Sequence, residues 1–198
     1  MRLLAVLAVA ALVALLPSVA GAGTTVVKMN ANAFAPSSVT VARGGTVRWS
    51  NKHPLAFLAH DVQSTAPAGY LSSGGPESVP VGTTWSFTFR SAGRYGYLCS
   101  VHAGMTGSVV VPIAVTRLAG PVRFRVTLAT KTAAAPWKHQ VQVRRPGSST
   151  WVTIATTSGP SVTWRPARHG THAFRARLVK GTPAGAHSGW TPPVGATW

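Results

Sequence analysis

Short runs in which apolar and polar residues alternate follow one another from residue 24 almost to the end of the chain. The runs span four to eight residues, and clusters of Gly, Pro, Asn and Ser separate them. A period of two is typical of half-buried β-strands, and no run here sustains the 3.6-residue period of an amphipathic helix. The pattern predicts an all-β protein. Strands are expected at residues 24–29, 38–41, 46–51, 59–63, 84–90, 94–99 and 107–111, and in the second half at residues 122–129, 140–145, 150–156, 161–164, 172–179 and 188–191.

Strands of this number and spacing are typical of two consecutive antiparallel sandwiches. Tyr95, Tyr97 and Cys99 occupy alternate positions, so we expect both tyrosines to share the inner face of one strand with the thiol. In the second half, apolar residues alternate with Arg or Gln, which predicts one buried face and one positively charged face. The tryptophans of that half lie in or beside strand patterns and are expected in the core, with a role as sugar-stacking platforms as the alternative; they are Trp137, Trp151, Trp164 and Trp190.

The amino terminus resembles a secretory signal peptide. Residues 3–16 carry no charge, Pro17 interrupts the run, and Ala20 and Ala22 form a small-x-small cleavage site. The apolar run is shorter than the roughly 20 residues that a membrane span needs. We therefore expect cleavage near Ala22 and an exported protein, secreted or extracytoplasmic, in a periplasm or at a cell surface. A second cut after Ala20 and an uncleaved anchor remain alternatives.

The charge balance is extreme and uneven. The chain has 19 Lys and Arg against 2 Asp and Glu, and residues 113–198 contain twelve basic residues and no acidic one. This change in composition places a domain boundary at about residues 111–115, giving domains at 23–112 and 113–198. Such a field favours anionic wall polymers, lipid headgroups or an acidic redox partner. We find no motif for specific nucleic-acid binding. No nucleophile–base–acid set is evident either, so the protein is not expected to be an enzyme.

The single cysteine, Cys99, lies close in sequence to two other potential metal ligands. Cys99 precedes His102 by three residues and Met105 by six, so a thiolate, an imidazole and a thioether lie on one short loop. Two histidines and a cysteine with a weak axial methionine form a blue-copper electron-transfer site. A second histidine must come from upstream, and His60 and His53 are the candidates. Met29 lies in a strand pattern and is expected in the core.

Residues 24–111 resemble the plastocyanin/azurin family, the cupredoxins. The resemblance is carried by segments 32–36, 39–41, 44–51, 60–62, 85–89 and 93–107. It implies a Greek-key β-sandwich that binds one mononuclear type 1 copper ion and exchanges electrons with a redox partner protein. The spacing of the loop is similar to that of amicyanins. Carried over by position, the resemblance implies four copper ligands, His60, Cys99, His102 and Met105.

Three departures from the family pattern affect these expectations. The interval from Asn51 to His60 is longer than is usual, and His53 lies within it. Asp61 stands where the family often has Asn, and we expect it to pair with the region of Ser100 and to lower the reduction potential. Leu98 replaces an exposed tyrosine of plastocyanins, so the edge of His102 becomes the expected port for electrons.

Residues 113–198 resemble a fibronectin type III or immunoglobulin-like module in segments 140–151, 172–176 and 188–192. His172 stands near the position of a tyrosine that is usual there. This half is therefore expected to be a binding or spacer module.

The leading hypothesis is a secreted type 1 copper protein that carries single electrons. One alternative is a protein that sequesters or delivers copper outside the membrane with the same ligands. Another is an adhesion module in which the basic second half binds an anionic surface and the copper domain is attached to it.

Overall fold

A computed structural model describes residues 22–52, 54, 58–181 and 185–198. The predicted signal peptide, apart from Ala22, and His53 lie outside these residues. Within them, no helix has the length and apolar character needed to cross a membrane. The strands of the described residues are β1 (Thr24–Met29), β2 (Phe34–Ala35), β3 (Ser38–Thr40), β4 (Gly45–Ser50), β5 (Gln63–Ala66), β6 (Ala68–Ser72), β7 (Thr84–Phe89), β8 (Gly93–Leu98), β9 (Thr106–Val111), β10 (Ala114–Arg117), β11 (Phe124–Thr127), β12 (Trp137–Arg144), β13 (Trp151–Thr157), β14 (Ser161–Trp164), β15 (Thr171–Lys180) and β16 (Val194–Thr197).

The first half forms a two-sheet sandwich, as expected. One sheet has the order β2-β1-β4-β7 and the other the order β3-β9-β8-β5-β6. The prediction of purely antiparallel sheets is wrong for two pairs, because β1 lies parallel to β4 and β3 lies parallel to β9. These partners are far apart in sequence, so long connections allow the parallel pairing that a hairpin would forbid.

Aromatic side chains fill the space between these sheets. Trp49, Phe89 and Tyr95 are fully buried, and Tyr97 is 1% exposed. The Tyr97 ring lies edge-on to Trp49 at 5.2 Å between centroids, and Met29 is buried in the same core. The expected shared face is confirmed, because alternate residues of β8 up to Cys99 are buried.

The Tyr97 ring packs directly against the backbone of Gly107 in this core. A Cβ atom on Gly107 would overlap Cζ of the buried Tyr97 ring, so Gly107→Ala should lower the free energy of unfolding by about 1–3 kcal/mol. Gly75→Ala is the control, since no atom lies within 4 Å of its added Cβ and its φ is not left-handed. Thermal denaturation of both variants measures the effect. Equal stability of the two variants would contradict the packing.

Two predicted strands differ from the structure. The run 59–63 does not form a strand, because His60 makes an isolated bridge to Val79 and β5 begins only at Gln63. The run 188–191 also lacks a strand, although Gly189 pairs with Arg94 of β8. The short strands β2, β6, β10 and β16 lie outside the predicted runs.

The second half forms another sandwich, with sheets β10-β11-β14 and β13-β12-β15-β16. Seven strands in two sheets is the architecture of immunoglobulin-like domains. Its core contains Phe124, Val126, Val141, Val143 and Phe174, all at most 1% exposed.

The four tryptophans of this half do not share one environment. Trp164 packs against the core of the second sandwich, and Trp137 packs against the core of the first. The prediction that all four are core residues is wrong for Trp151 and Trp190. These two are partly exposed and stack with arginine side chains instead.

Backbone hydrogen bonds join the two sandwiches near the start of β8. The Arg94 amide donates to the Gly189 carbonyl at 3.0 Å, and the Gly189 amide donates to the Arg94 carbonyl at 2.8 Å. The Ala92 amide donates to Leu128 at 2.7 Å. Cys99 follows the other end of β8, about 20 Å away along the strand. The contact with the second sandwich and the thiol therefore lie at opposite ends of β8.

Candidate metal centre

A tight loop after β8 carries three of the predicted ligands. The Cys99 amide donates to the Met105 carbonyl at 3.0 Å, and the Met105 amide donates to the His102 carbonyl at 3.2 Å. Gly104 has a φ of 78°, a left-handed conformation that glycine adopts without a steric penalty. These bonds close the loop on itself, so Cys99, His102 and Met105 are held by the adjoining strands.

His60 reaches the same place from the connection between β4 and β5. Its amide and carbonyl both bond to Val79, at 3.2 and 2.8 Å. The buried Asn51 side chain donates to the Leu58 carbonyl at 2.9 Å and to the Val79 carbonyl at 3.0 Å. The long interval before His60 is thus closed at its base by one amide side chain. His53, the alternative ligand, falls outside the described residues.

Three donor atoms converge at this end of the sandwich. Sγ of Cys99 lies 3.7 Å from Nδ1 of His60 and 3.3 Å from Nδ1 of His102, and the two Nδ1 atoms are 3.1 Å apart. Ligands about 2.0–2.3 Å from one tetrahedral metal ion are roughly 3.3–3.8 Å from each other. The observed separations are close to this range. One thiol and two imidazoles also match the donor preference of copper.

The donors differ in their access to solvent. His60 is fully buried, Cys99 is 3% exposed, and Met105 is 1% exposed and packs in the same core as Cys99. His102 is partly exposed, and the neighbouring Val101 is 39% exposed. The structure therefore buries Met105 in the core that contains Cys99 and leaves His102 as the residue of the group that reaches the surface.

Asp61 ties the ligand loop to the segment that carries His60. The Ser100 amide donates to Oδ1 of Asp61 at 2.6 Å, and the Ser100 hydroxyl donates to Oδ2 at 2.6 Å. The expected pairing of Asp61 with Ser100 is confirmed. Burial acts to raise the pKa of Asp61, but the hydrogen bonds from Ser100, with others from Cys99 and Gln63, outweigh it and lower the pKa below its usual value. Asp61 is therefore a buried carboxylate at neutral pH.

The thiol has the opposite tendency. Burial raises the pKa of Cys99, and the negative charge of Asp61 adds to the effect. The metal-free protein therefore keeps the thiol protonated at neutral pH. Because the thiolate is the form that binds metal, loading should release a proton.

Sequence reasoning missed the two residues that fix His60, which are Asn51 and Val79. A signal existed for Asn51, because a polar residue directly after a strand with an apolar inner face must find partners when it is buried. No sequence signal pointed to Val79, since its role depends on backbone hydrogen bonds between two loops.

Comparisons with known proteins agree with this geometry. Residues 22–112 match the family described as copper binding proteins, plastocyanin/azurin family. Plastocyanin of Scenedesmus fuscus is 42% identical over 84 residues, which are 39% of this chain and 85% of that protein. Amicyanin-alpha of Methylorubrum extorquens is 33% identical over 92 residues, 46% of this chain and 75% of that protein.

Among solved structures, a reduced amicyanin variant is 32% identical and covers 43% of this chain and 79% of its own, with a TM-score of 0.37. The sequence matches include most of the length of both named relatives. The family match over residues 22–112 includes the thiol and the two imidazoles that come together. The chain thus belongs to the plastocyanin/azurin family of copper-binding proteins, and its cofactor is copper.

Proposed function

We propose that the protein carries single electrons through one type 1 copper ion held by His60, Cys99, His102 and Met105. The observation that supports this most is the convergence of one buried thiol and two imidazole nitrogens within 3.1–3.7 Å. When bound, copper supplies a reversible change between Cu(II) and Cu(I). The matched relatives, plastocyanins and amicyanin, favour a carrier over an enzyme.

Backbone hydrogen bonds hold the ligand residues in place. His60 is held by two backbone bonds to Val79, and Cys99 by a backbone bond to Met105. Ligands fixed in this way keep the same positions in both oxidation states, which lowers the cost of reorganisation during electron transfer.

Electrons would enter and leave at the partly exposed edge of His102. The exposed Val101 beside it offers an apolar contact, and the second sandwich docks at the far end of β8. A redox partner can therefore approach the ligand loop unhindered by the second sandwich. The strongly positive chain would favour a partner with an acidic surface.

The compartment and domain division are part of the same proposal. The signal-like residues 1–22 support export to an extracytoplasmic location. We assign residues 23–112 to the copper domain and residues 113–198 to an immunoglobulin-like domain, of the fibronectin type III kind. In this half, twelve basic residues and no acidic ones would let the protein attach to an anionic surface.

Cyclic voltammetry of the copper-loaded protein tests the carrier. A reversible one-electron wave is expected, because both oxidation states must use the same ligands. Copper that binds as Cu(I) and never cycles would refute the carrier and leave sequestration or delivery as the function.

Replacement of the Met105 thioether gives a finer prediction. Met105→Leu is expected to keep the colour and the fold, since the volumes are similar, and to raise the reduction potential because the thioether is lost. Met29→Leu is the matched control, since Met29 is equally buried but belongs to strand β1. Equal potentials in the two variants would contradict the role of Met105.

A further inference from the structure

Arginine and tryptophan side chains interleave on one face of the second sandwich. The guanidinium carbon of Arg175 lies 4.2 Å from the ring centroid of Trp151 and 4.3 Å from that of Trp190. Arg177 lies 4.6 Å from Trp190, and Arg144 lies 5.3 Å from Trp151. We call these five residues the arginine–tryptophan face.

The strand register explains why these residues meet. Arg144 pairs with Trp151 across β12 and β13, and Gln142 pairs with Arg175 across β12 and β15. Alternate residues of β15, such as Phe174 and Ala176, are buried, so the arginines of this strand point outward. The face therefore occupies the outer surface of the sheet β13-β12-β15-β16.

Glutamine side chains hold the guanidinium groups in place. Nε and Nη2 of Arg175 donate to Oε1 of Gln142 at 3.0 and 2.7 Å, and Nε of Arg177 donates to Oε1 of Gln140 at 2.7 Å. Stacking on indole rings also restricts the planar groups. The arginines are thus pre-organised, which reduces the entropy that an incoming ligand would have to offset.

The face concentrates positive charge without an acidic residue of its own domain to balance it. Residues 113–198 contain no Asp or Glu. Burial lowers the pKa of Arg175, and repulsion from Arg177 and Arg144 lowers it further. An anion bound here would relieve that repulsion.

We propose that the arginine–tryptophan face binds a linear polysaccharide that carries a carboxylate on successive sugars. A guanidinium group can bind a carboxylate bidentately. Because Nε and Nη2 of Arg175 donate to Gln142, a carboxylate would bind at the edge formed by its two Nη atoms. Arg175 and Arg177 are about 7 Å apart along one strand. Several regularly spaced anions therefore suit the face better than one. This inference deepens the anionic attachment proposed above and rests on it.

Other polyanions fit the face less well. Its indole rings are stacked against guanidinium groups, so little apolar area remains for the core of a protein interface or for insertion among lipid chains. The outer surface of a four-stranded sheet also presents no helix or two-stranded ribbon to enter a nucleic-acid groove.

Binding of the full-length mature protein to polygalacturonate tests the proposal, with methyl-esterified polygalacturonate as the uncharged ligand. The test variant is Arg144→Gln with Arg175→Gln. The matched control is Arg117→Gln with Arg125→Gln, which removes the same charge from exposed positions on the other sheet. We expect the test variant to bind about tenfold more weakly or worse, the control to change less than about twofold, and the esterified polymer not to bind.

The possible failures are distinguishable. If the unmodified protein does not bind polygalacturonate, the proposal for the face is refuted. If it also fails to bind vesicles of anionic phospholipid, the anionic attachment is refuted with it. If both double variants lose affinity equally, attachment depends on total positive charge. The proposal for the face is then refuted, and the anionic attachment is not. Equal or tighter binding of duplex DNA or of vesicles of anionic phospholipid would refute the polysaccharide as the ligand.

A charge-conserving variant covers the case in which the double variant does not fold. Arg175→Lys keeps the charge but loses the planar fork, so we expect a loss of about threefold or more in affinity. Circular dichroism and the thermal midpoint check its fold. Unchanged affinity of folded Arg175→Lys would overturn the proposal.

Discussion

Replacement of Cys99 by alanine is expected to abolish the intense visible absorption of the copper-loaded protein. The colour of a type 1 site depends on charge transfer from thiolate sulfur to Cu(II), and Cys99 is the sole cysteine of the chain. The loop should survive, because its closing bond runs from the Cys99 backbone amide to the Met105 carbonyl at 3.0 Å and does not need the side chain.

The measurement is the visible spectrum and the copper content of the purified variant. Val101→Ala serves as the control, since it changes an exposed residue of the same loop without removing a donor. We expect its spectrum to match that of the unmodified protein. An unchanged band in Cys99→Ala would refute the ligand set.

Loss of the Asp61 carboxylate is expected to have the largest effect on stability. Asp61→Ala removes the acceptors of the Ser100 amide and hydroxyl, both at 2.6 Å. Hydrogen bonds to a charged group contribute about 1.5–3 kcal/mol each, so the loss of two should lower the free energy of unfolding by about 3–6 kcal/mol. Denaturant unfolding of the metal-free protein measures this. A loss below about 1 kcal/mol would contradict the role of Asp61 as the anchor of the ligand loop.

Asp61→Asn separates charge from geometry. The amide can still accept from the Ser100 backbone, but the negative charge beside the site is gone, so the reduction potential should rise. Glu77→Gln, which neutralises the other acidic residue at an exposed position, is the control and should change the potential little. Equal shifts in the two variants would show that the position of the charge is unimportant.

Asp61→Asn is also expected to change how the stability of the protein depends on pH. Because the folded-state pKa of Asp61 is lowered, its ionisation adds stability at neutral pH that is lost as the pH falls below about 4, the ordinary carboxyl pKa. The metal-free Asp61→Asn protein should therefore lose less stability than the unmodified protein between neutral pH and acid. Parallel acid denaturation curves would contradict the lowered pKa.

The fold of the first half was largely predictable because alternation in its longer strands is regular. Tyr95, Tyr97 and Cys99 could be assigned to one face from a period of two alone. The position of His60 could not be derived in this way. It depends on a bridge to Val79 between two loops, and such pairings leave no local pattern in the sequence.

The tryptophans illustrate a second limit. Trp164 and Trp190 both stand beside strand patterns, and hydrophobicity alone predicts burial for both. Trp190 instead stacks on Arg175 and Arg177. Indole rings bind guanidinium groups as readily as apolar neighbours, so the outcome depends on which strands become adjacent.

The central claim is that a β-sandwich holds one copper ion between a single thiol and two imidazoles and lets it change valence. The visible spectrum of the copper-loaded mature protein through one cycle of reduction and reoxidation tests it most directly. We predict one copper ion per chain and an intense band that disappears on reduction by one electron and returns fully on oxidation. Stoichiometric copper without that band, or a band that does not return, would contradict the claim.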